Sequence, residues 1–157
     1  DLINTIYSNV DYCALMISSY NANVGDLAGI GNEQNLDLAN YVINNFAIGD
    51  DLGNGVAVSG GDIQRTLWAL VFGGSLQPVG AYSSGPSNNA NVNAMLAAAF
   101  MSGEDYEPPC DGSVAVILYP VNCTTGGPNL AAQALIAQAL VTTFESACTD
   151  VCTICCD

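Results

Sequence analysis

Residues 62–72, with the sequence DIQRTLWALVF, decide how the middle of this chain folds. The segment follows a glycine-punctuated loop at residues 49–61 and precedes Gly73-Gly74, a pair typical of helix C-termini. Ser59 and Asp62 are both residue types that cap a helix start by accepting a hydrogen bond from a backbone N–H. The pattern therefore predicts a helix that begins near Asp62 and ends before Gly73.

Gln64 lies on the apolar face of this predicted helix. The positions three, four and seven residues after it hold Leu67, Trp68 and Val71, which share one face of an α-helix. The other faces hold Asp62, Arg65, Thr66 and Ala69. A buried amide without hydrogen-bond partners costs about 1–3 kcal/mol. The amide is therefore either hydrogen-bonded to a neighbouring strand or consumed by a covalent bond.

The charge balance excludes several classes of function. The 157 residues include 15 acids, one arginine (Arg65), no lysine and no histidine, which gives a net charge of −14. One arginine cannot form the basic patch that nucleic acids or anionic membranes require. The absence of histidine and lysine removes the commonest general base, the commonest metal ligand and Schiff-base chemistry. We therefore expect neither an enzyme nor a cofactor or metal site.

Two pairs of neighbouring acids are the remaining candidates for carboxylate chemistry. Asp50-Asp51 and Glu104-Asp105 each lie in a loop-like stretch of the sequence. Carboxylate oxygens are the hard ligands that calcium prefers, so a calcium site is one interpretation. The interpretation we favour is that both pairs belong to solvated loops.

Cysteine content and a sequon indicate an extracellular protein. Seven cysteines are more than a reducing cytosol usually tolerates without metal binding or catalysis. Asn122-Cys123-Thr124 is an N-glycosylation sequon, so Asn122 is a candidate glycan site. The longest apolar stretch, residues 95–101, is too short to cross a membrane, and no signal peptide is visible. We expect a mature secreted chain or an excised domain that does not insert into a membrane.

The rest of the sequence predicts one α+β domain over residues 1–157. Strands are expected at residues 3–18 and 113–121, and helices at 35–46, 62–72 and 91–103. Residues 129–148 fit a helix by their Ala/Leu content, but we favour a strand in their C-terminal half, paired with residues 113–121. The N- and C-terminal strands then form a sheet or sandwich around a helical middle segment, followed by a cysteine-rich tail at about residues 146–157.

The cysteines divide into one isolated residue and a group. Cys13 stands alone in the middle of the first predicted strand, and the group comprises Cys110, Cys123, Cys148, Cys152, Cys155 and Cys156. Disulfides within the group are favoured over a zinc site, because the sequence has no histidine and Cys155-Cys156 are vicinal. Cys13 is then left over. It is either a buried free thiol or the partner of Gln64 in a thioester formed with loss of ammonia.

The order of several segments resembles a known family. DYCAL is followed by NLDLANYVINNF, by GGDIQRTLWALV and by VNAMLAAAFMSGEDYEPPCDGSVAVILYPV. This order resembles a secreted domain family of microbes and algae, which is itself similar to the thioester domains of Gram-positive surface adhesins. The adhesin motifs are matched by Tyr12-Cys13 and by Ile63, Gln64, Leu67 and Trp68. The resemblance implies a Cys13–Gln64 thioester that captures an amine on a partner surface. It also implies that Tyr12 and Trp68 shield the bond, while Arg65 orients the loop or pairs with an acid such as Asp62.

These observations support two functions that are both non-enzymatic. The first is an extracellular adhesion or attachment domain that binds a protein or a surface amine, with Cys13 and Gln64 as the reactive pair. The alternative is a non-reactive subunit of an extracellular filament or coat, held together by disulfides and by association with copies of itself. Neither function involves nucleic acid or direct insertion into a membrane.

Overall fold

The computed structural model describes residues 13–18, 32–73, 86–109, 111–126 and 135–140. These residues form three strands, three α-helices and one short 3₁₀-helix at Glu33–Asn35. In chain order the main elements are β1 (Cys13–Ser18), α1 (Leu36–Asn45), α2 (Gly60–Phe72), α3 (Asn89–Ser102), β2 (Ser113–Val121) and β3 (Leu135–Leu140). The predicted α+β class with a helical middle segment is confirmed.

The three strands form one antiparallel sheet with β2 in the centre. Cys13 is opposite Val121 at one end of the β1–β2 pair, and Ser18 is opposite Val116 at the other. β3 runs along the second edge of β2, with Leu135 opposite Leu118. The predicted pairing of a late strand with residues 113–121 is therefore confirmed, although only residues 139–140 of β3 fall in the C-terminal half of residues 129–148. The described residues contain a single sheet, so the sandwich part of the prediction is not confirmed.

The three predicted helices are present with small shifts at their ends. α1 matches its prediction within one residue, and α3 begins at Asn89, two residues earlier than predicted. α2 begins at Gly60, because Ser59 and Asp62 act together as a capping box. The Ser59 side chain accepts from the Asp62 N–H at 3.1 Å, and the Asp62 carboxylate accepts from the Ser59 N–H at 2.9 Å.

The hydrophobic core lies between the helices and the sheet. α1 packs against β2 and also contacts α2 and α3. Fully buried side chains from all four elements meet there, among them Leu38, Val42, Leu70, Met95, Ala99 and Ile117. This core joins the helical middle segment to β2, a strand late in the sequence. No described helix is long and apolar enough to cross a membrane.

Two asparagines of α1 continue the hydrogen bonding of β2 where β1 ends. Among the described residues, the β1–β2 pairing extends from Cys13 opposite Val121 to Ser18 opposite Val116. Beyond that point, Asn40 Oδ1 accepts from the Ala115 N–H at 2.7 Å. Asn44 binds Ser113 twice: its Oδ1 accepts from the Ser113 N–H at 2.9 Å and its Nδ2 donates to the Ser113 carbonyl at 2.7 Å. The side chains of α1 thus take the place of a pairing strand.

Candidate functional site

Cys13 is bonded to Cys123 and not to Gln64. The two sulfurs form a disulfide between residues 110 positions apart in the sequence, with the Cα atoms 5.2 Å from each other. β1 begins at Cys13, and Cys123 follows the end of β2 by two residues, so the bond closes one end of the sheet. The position of Cys13 opposite Val121 brings the two sulfurs within bonding reach.

The predicted thioester is therefore wrong. A thioester needs the Cys13 sulfur to bond the side-chain carbon of Gln64, and this sulfur is already bonded to Cys123. The prediction that Cys13 is the unpaired cysteine is wrong for the same reason. The prediction that Cys123 forms a disulfide is confirmed, but its partner is Cys13 and not a cysteine of the group of six. Disulfide connectivity cannot be read from spacing alone, because it depends on which strands the fold places side by side.

The other predicted thioester residues occupy separate environments. Trp68 is half-buried and stacks on Phe72, one turn further along α2, with ring centroids 4.3 Å apart. Gln64 is half-buried on the same helix. The predicted shielding role of Trp68 fails together with the thioester. Tyr12 lies outside the described residues, as do Cys110, Cys148, Cys152, Cys155 and Cys156, so the disulfides expected for these cysteines stay predictions.

The buried face of α2 differs from the predicted one. Gln64, Leu67 and Trp68 are only half-buried. The most buried side chains of the helix are Val71, which belongs to the predicted face, and Asp62, Arg65, Thr66 and Leu70, which do not. Three of these five are polar, and each has a hydrogen-bond partner; the Thr66 hydroxyl, for example, donates to the Asp62 carbonyl at 2.8 Å. Because hydrogen bonding offsets the cost of burying a polar group, the polar side of α2 faces inward.

Asp62 is the centre of this polar contact. Its carboxylate accepts from the Ser59 N–H, from the Asn88 N–H and, at 3.0 Å, from Asn91 Nδ2. Asn91 is itself fully buried, near the start of α3. Burial alone raises the pKa of Asp62, but the hydrogen bonds from Asn88, Asn91 and Ser59 outweigh it and hold the pKa below its ordinary value. The carboxylate thus fixes the start of α2 against the start of α3.

Arg65, the single cation of the chain, is only 4% exposed. Its Nη1 donates to the Ser87 hydroxyl at 3.4 Å, while its Nε has no hydrogen-bond partner among the described residues. Arg65 does not make the predicted pair with Asp62: the described contact of its guanidinium is with Ser87, and Asp62 accepts from Ser59, Asn88 and Asn91. The segment just before α3, which holds Ser87 and Asn88, was not identified from the sequence as a partner of α2. The only signal for it was the run of asparagines at the predicted helix start.

Asn122 is exposed in the turn after β2, as a glycan acceptor must be. Its Oδ1 accepts from the Thr124 N–H at 2.9 Å and from the Thr125 N–H at 3.0 Å. These contacts use the oxygen and not the nitrogen that would carry the sugar. The middle residue of the sequon is Cys123, so the glycan candidate and the disulfide are adjacent in the sequence. Glycosylation at Asn122 stays a prediction.

The two acid pairs lie in loops of the described part of the chain. Asp51, Glu104 and Asp105 are exposed. Asp51 Oδ1 accepts from the Gly53 N–H at 2.9 Å, and Asp50 Oδ2 from the Ala47 N–H at 2.7 Å, so both carboxylates hold their own loop in shape. Within the described ranges, no group of three or more Cys, Asp or Glu side chains is placed to hold a metal ion.

Comparison with known proteins identifies no relative. No protein-family model, no curated protein and no solved structure matches the chain. The resemblance to adhesin thioester domains therefore rests on short motifs alone, and the Cys–Gln bond that those motifs implied is absent from the structure.

Proposed function

We propose that this chain is a non-enzymatic structural domain of an extracellular assembly, such as a filament or coat, in which copies of the chain associate. The observation that carries the proposal is the Cys13–Cys123 disulfide. It makes Cys13, the cysteine of the expected reactive pair, part of a cross-link between β1 and the residues just after β2. Amine capture through a Cys13–Gln64 thioester then has no electrophile, which leaves structural support as the better-founded role of this cysteine.

The disulfide also supports an extracellular location. Disulfides persist in secreted proteins and are rare where glutathione and thioredoxin keep thiols reduced. The exposed sequon at Asn122 and the net charge of −14 agree with such a setting. The only cation is buried, so the described surface offers no basic patch to nucleic acid.

The odd number of cysteines supports a covalent bond to another chain. Subtracting the two cysteines of the Cys13–Cys123 bond from the seven in the sequence leaves five: Cys110, Cys148, Cys152, Cys155 and Cys156. Five cysteines cannot all pair with one another. At least one of them therefore either bonds to a cysteine outside these 157 residues or remains a thiol, and a disulfide to a second copy of the chain satisfies this requirement.

The end of α3 supports non-covalent association. Phe100 and Met101 are adjacent, and they are 63% and 81% exposed. Leu15 and Met16 on β1, and Ile48 and Val56 in the loop after α1, are also large apolar side chains exposed to solvent. Exposed apolar side chains that lie next to each other are characteristic of contact surfaces. We assign Phe100 and Met101 to the contact between copies.

Sedimentation of the secreted protein over a range of concentrations tests the proposal. We expect concentration-dependent oligomers, and on non-reducing gels a covalent dimer that reduction removes. Phe100→Glu with Met101→Glu should raise the dissociation constant by about tenfold or more, because apolar side chains at the centre of a contact dominate its affinity. Asn93→Glu, which adds a charge at another exposed position of α3, is the matched control and should leave association unchanged. A monomer at every concentration, with and without reductant, contradicts the proposal.

A further inference from the structure

The loop between α1 and α2 contains the only Asn-Gly pair of the sequence, Asn54-Gly55. Both residues are exposed. Gly55 has a φ of 72°, and no atom of the described residues lies within 4 Å of the position that a Cβ atom would take there. The backbone nitrogen that follows an asparagine can attack the side-chain carbon of that asparagine, and a following glycine hinders this attack least. Gly55 therefore brings no side chain that would hinder attack by its own nitrogen on Asn54.

Three contacts surround the reacting groups. The Gly55 N–H donates to Asp51 Oδ1 at 3.3 Å, so a carboxylate faces the proton that the attacking nitrogen must lose. The Val56 N–H donates to Asn54 Oδ1 at 2.9 Å, where negative charge develops when the side-chain carbon becomes tetrahedral. Asn54 Nδ2, the leaving nitrogen, donates to Asn91 Oδ1 at 2.6 Å, which fixes the orientation of the carboxamide. The loop thus surrounds the Asn54 amide with three groups: a carboxylate that can accept the proton, an N–H that can stabilise the developing oxyanion, and a hydrogen bond that orients the leaving nitrogen.

We propose that Asn54 is a site of self-catalysed deamidation. The Gly55 nitrogen gives up its proton toward the Asp51 carboxylate and bonds to Asn54 Cγ. The bond between Cγ and Nδ2 then breaks, and the nitrogen leaves as ammonia after taking up a proton. The product is a five-membered succinimide between residues 54 and 55. Water opens this ring to aspartate or isoaspartate, so the only co-reactant is the solvent and nothing is oxidised or reduced.

The reaction changes the contact between this loop and α3. Asn54 Nδ2 is a hydrogen-bond donor to the buried Asn91, and its replacement by a carboxylate oxygen puts two acceptors opposite each other. Asn91 Nδ2 also donates to the Val56 carbonyl at 3.2 Å, to the Ala57 carbonyl at 3.3 Å and to Asp62 at 3.0 Å. Deamidation therefore loosens the loop at a buried residue that also binds Asp62, and it adds one negative charge to the chain.

Asn122 serves as an internal comparison. It is also exposed, and its Oδ1 also accepts from the backbone N–H two residues later. The residue after it is Cys123, whose side chain obstructs attack by its own nitrogen and which is held in a disulfide. The contacts described for the Asn122 turn include no carboxylate like Asp51. If the arrangement around Asn54 matters, the two asparagines must differ in rate.

Peptide mapping by mass spectrometry during incubation at neutral pH tests the proposal, with protein from a bacterial host so that Asn122 carries no glycan. We expect Asn54 to convert at least about tenfold faster than Asn122, and to convert in the folded chain at least as fast as in the urea-unfolded chain. Asp51→Asn keeps an oxygen acceptor but removes the carboxylate, and it should slow conversion on the order of tenfold. Asp50→Asn is the matched control and should leave the rate unchanged, because Asp50 binds Ala47 instead.

Two results overturn the proposal. The first is faster conversion of Asn54 in the unfolded chain than in the folded chain, which would mean that the loop protects Asn54. This comparison uses the unmodified protein. The other is an unchanged rate in Asp51→Asn, which means that the carboxylate takes no part.

Discussion

The two ends of β2 are held in different ways. At its C-terminal end the Cys13–Cys123 disulfide joins β2 to the start of β1. At its N-terminal end, where β1 has stopped, Asn40 and Asn44 of α1 bind the backbone of Ala115 and Ser113. The C-terminal end is held by a covalent bond to the exposed Cys123. The N-terminal end is held by side-chain amides, of which that of Asn40 is fully buried.

This difference shows which kind of cross-link each location requires. Cys123 is exposed in a turn, where hydrogen bonds compete with water and contribute little. Asn40 is fully buried, so its hydrogen bond to the Ala115 N–H offsets the desolvation cost of that buried backbone group. We infer that the covalent bond acts mainly by restricting the unfolded chain, and that the amides act by satisfying buried backbone groups of the folded chain.

The largest effect is expected from breaking the disulfide. Cys13→Ser or Cys123→Ser opens a link between residues 110 positions apart and should lower the free energy of unfolding by about 4 kcal/mol. Urea denaturation measures this loss. The double variant should lose no more than either single variant, because one substitution already breaks the bond. A loss below about 1 kcal/mol contradicts the assignment of this end to a covalent link.

A smaller effect is expected at the amide end. Asn40→Ala leaves the buried Ala115 N–H without its acceptor and should lower the free energy of unfolding by about 2–3 kcal/mol. The control is Asn45→Ala: Asn45 is exposed, and its side chain donates to the Tyr41 carbonyl within the same helix. That variant should change stability by less than about 0.5 kcal/mol. Equal effects of the two variants in urea denaturation mean that the contact of α1 with β2 is not an anchoring point.

A third link joins α2 to α3 through the Asp62 carboxylate. Replacing this carboxylate by an amide tests whether its negative charge matters. The pKa of Asp62 is lower in the folded than in the unfolded protein, so its contribution is complete above the unfolded value of about 4 and is lost as the pH falls through the folded value. Asp62→Asn should cost about 1–2 kcal/mol at neutral pH and flatten the fall in stability below about pH 4. Chemical denaturation across this range measures both. Glu104→Gln, an exposed substitution, is the control, and an unchanged acid profile in Asp62→Asn contradicts the role of the carboxylate.

The sequence predicted the elements of this fold better than the contacts between them. The helix at α2 followed from local signals, since Ser59, Asp62 and Gly73 act within a few residues of each other. The buried face of α2 did not follow from local signals, because the periodicity rule assumes that apolar side chains point inward. Here Asp62 and Arg65 are buried, with partners supplied by residues 87–91 at the next helix start.

The candidate site was harder to predict for the same reason. Cys13 and Gln64 matched short motifs, but the partner of Cys13 depends on the register of β1 against β2, which no local pattern encodes. Asn40 and Asn44 gave no signal, because an asparagine on a helix is ordinarily a solvated residue. Their role appears only when the sheet places backbone groups of residues 113–115 against α1.

The central claim is that Cys13 belongs to a structural disulfide and not to a reactive bond. Mass spectrometry of the unreduced protein, before and after methylamine treatment and with peptide mapping, tests it most directly. We predict a peptide pair linked through Cys13 and Cys123, no mass deficit corresponding to ammonia, and no addition of methylamine at Gln64. A deficit of one ammonia together with methylamine addition at Gln64 would contradict the account and restore the thioester.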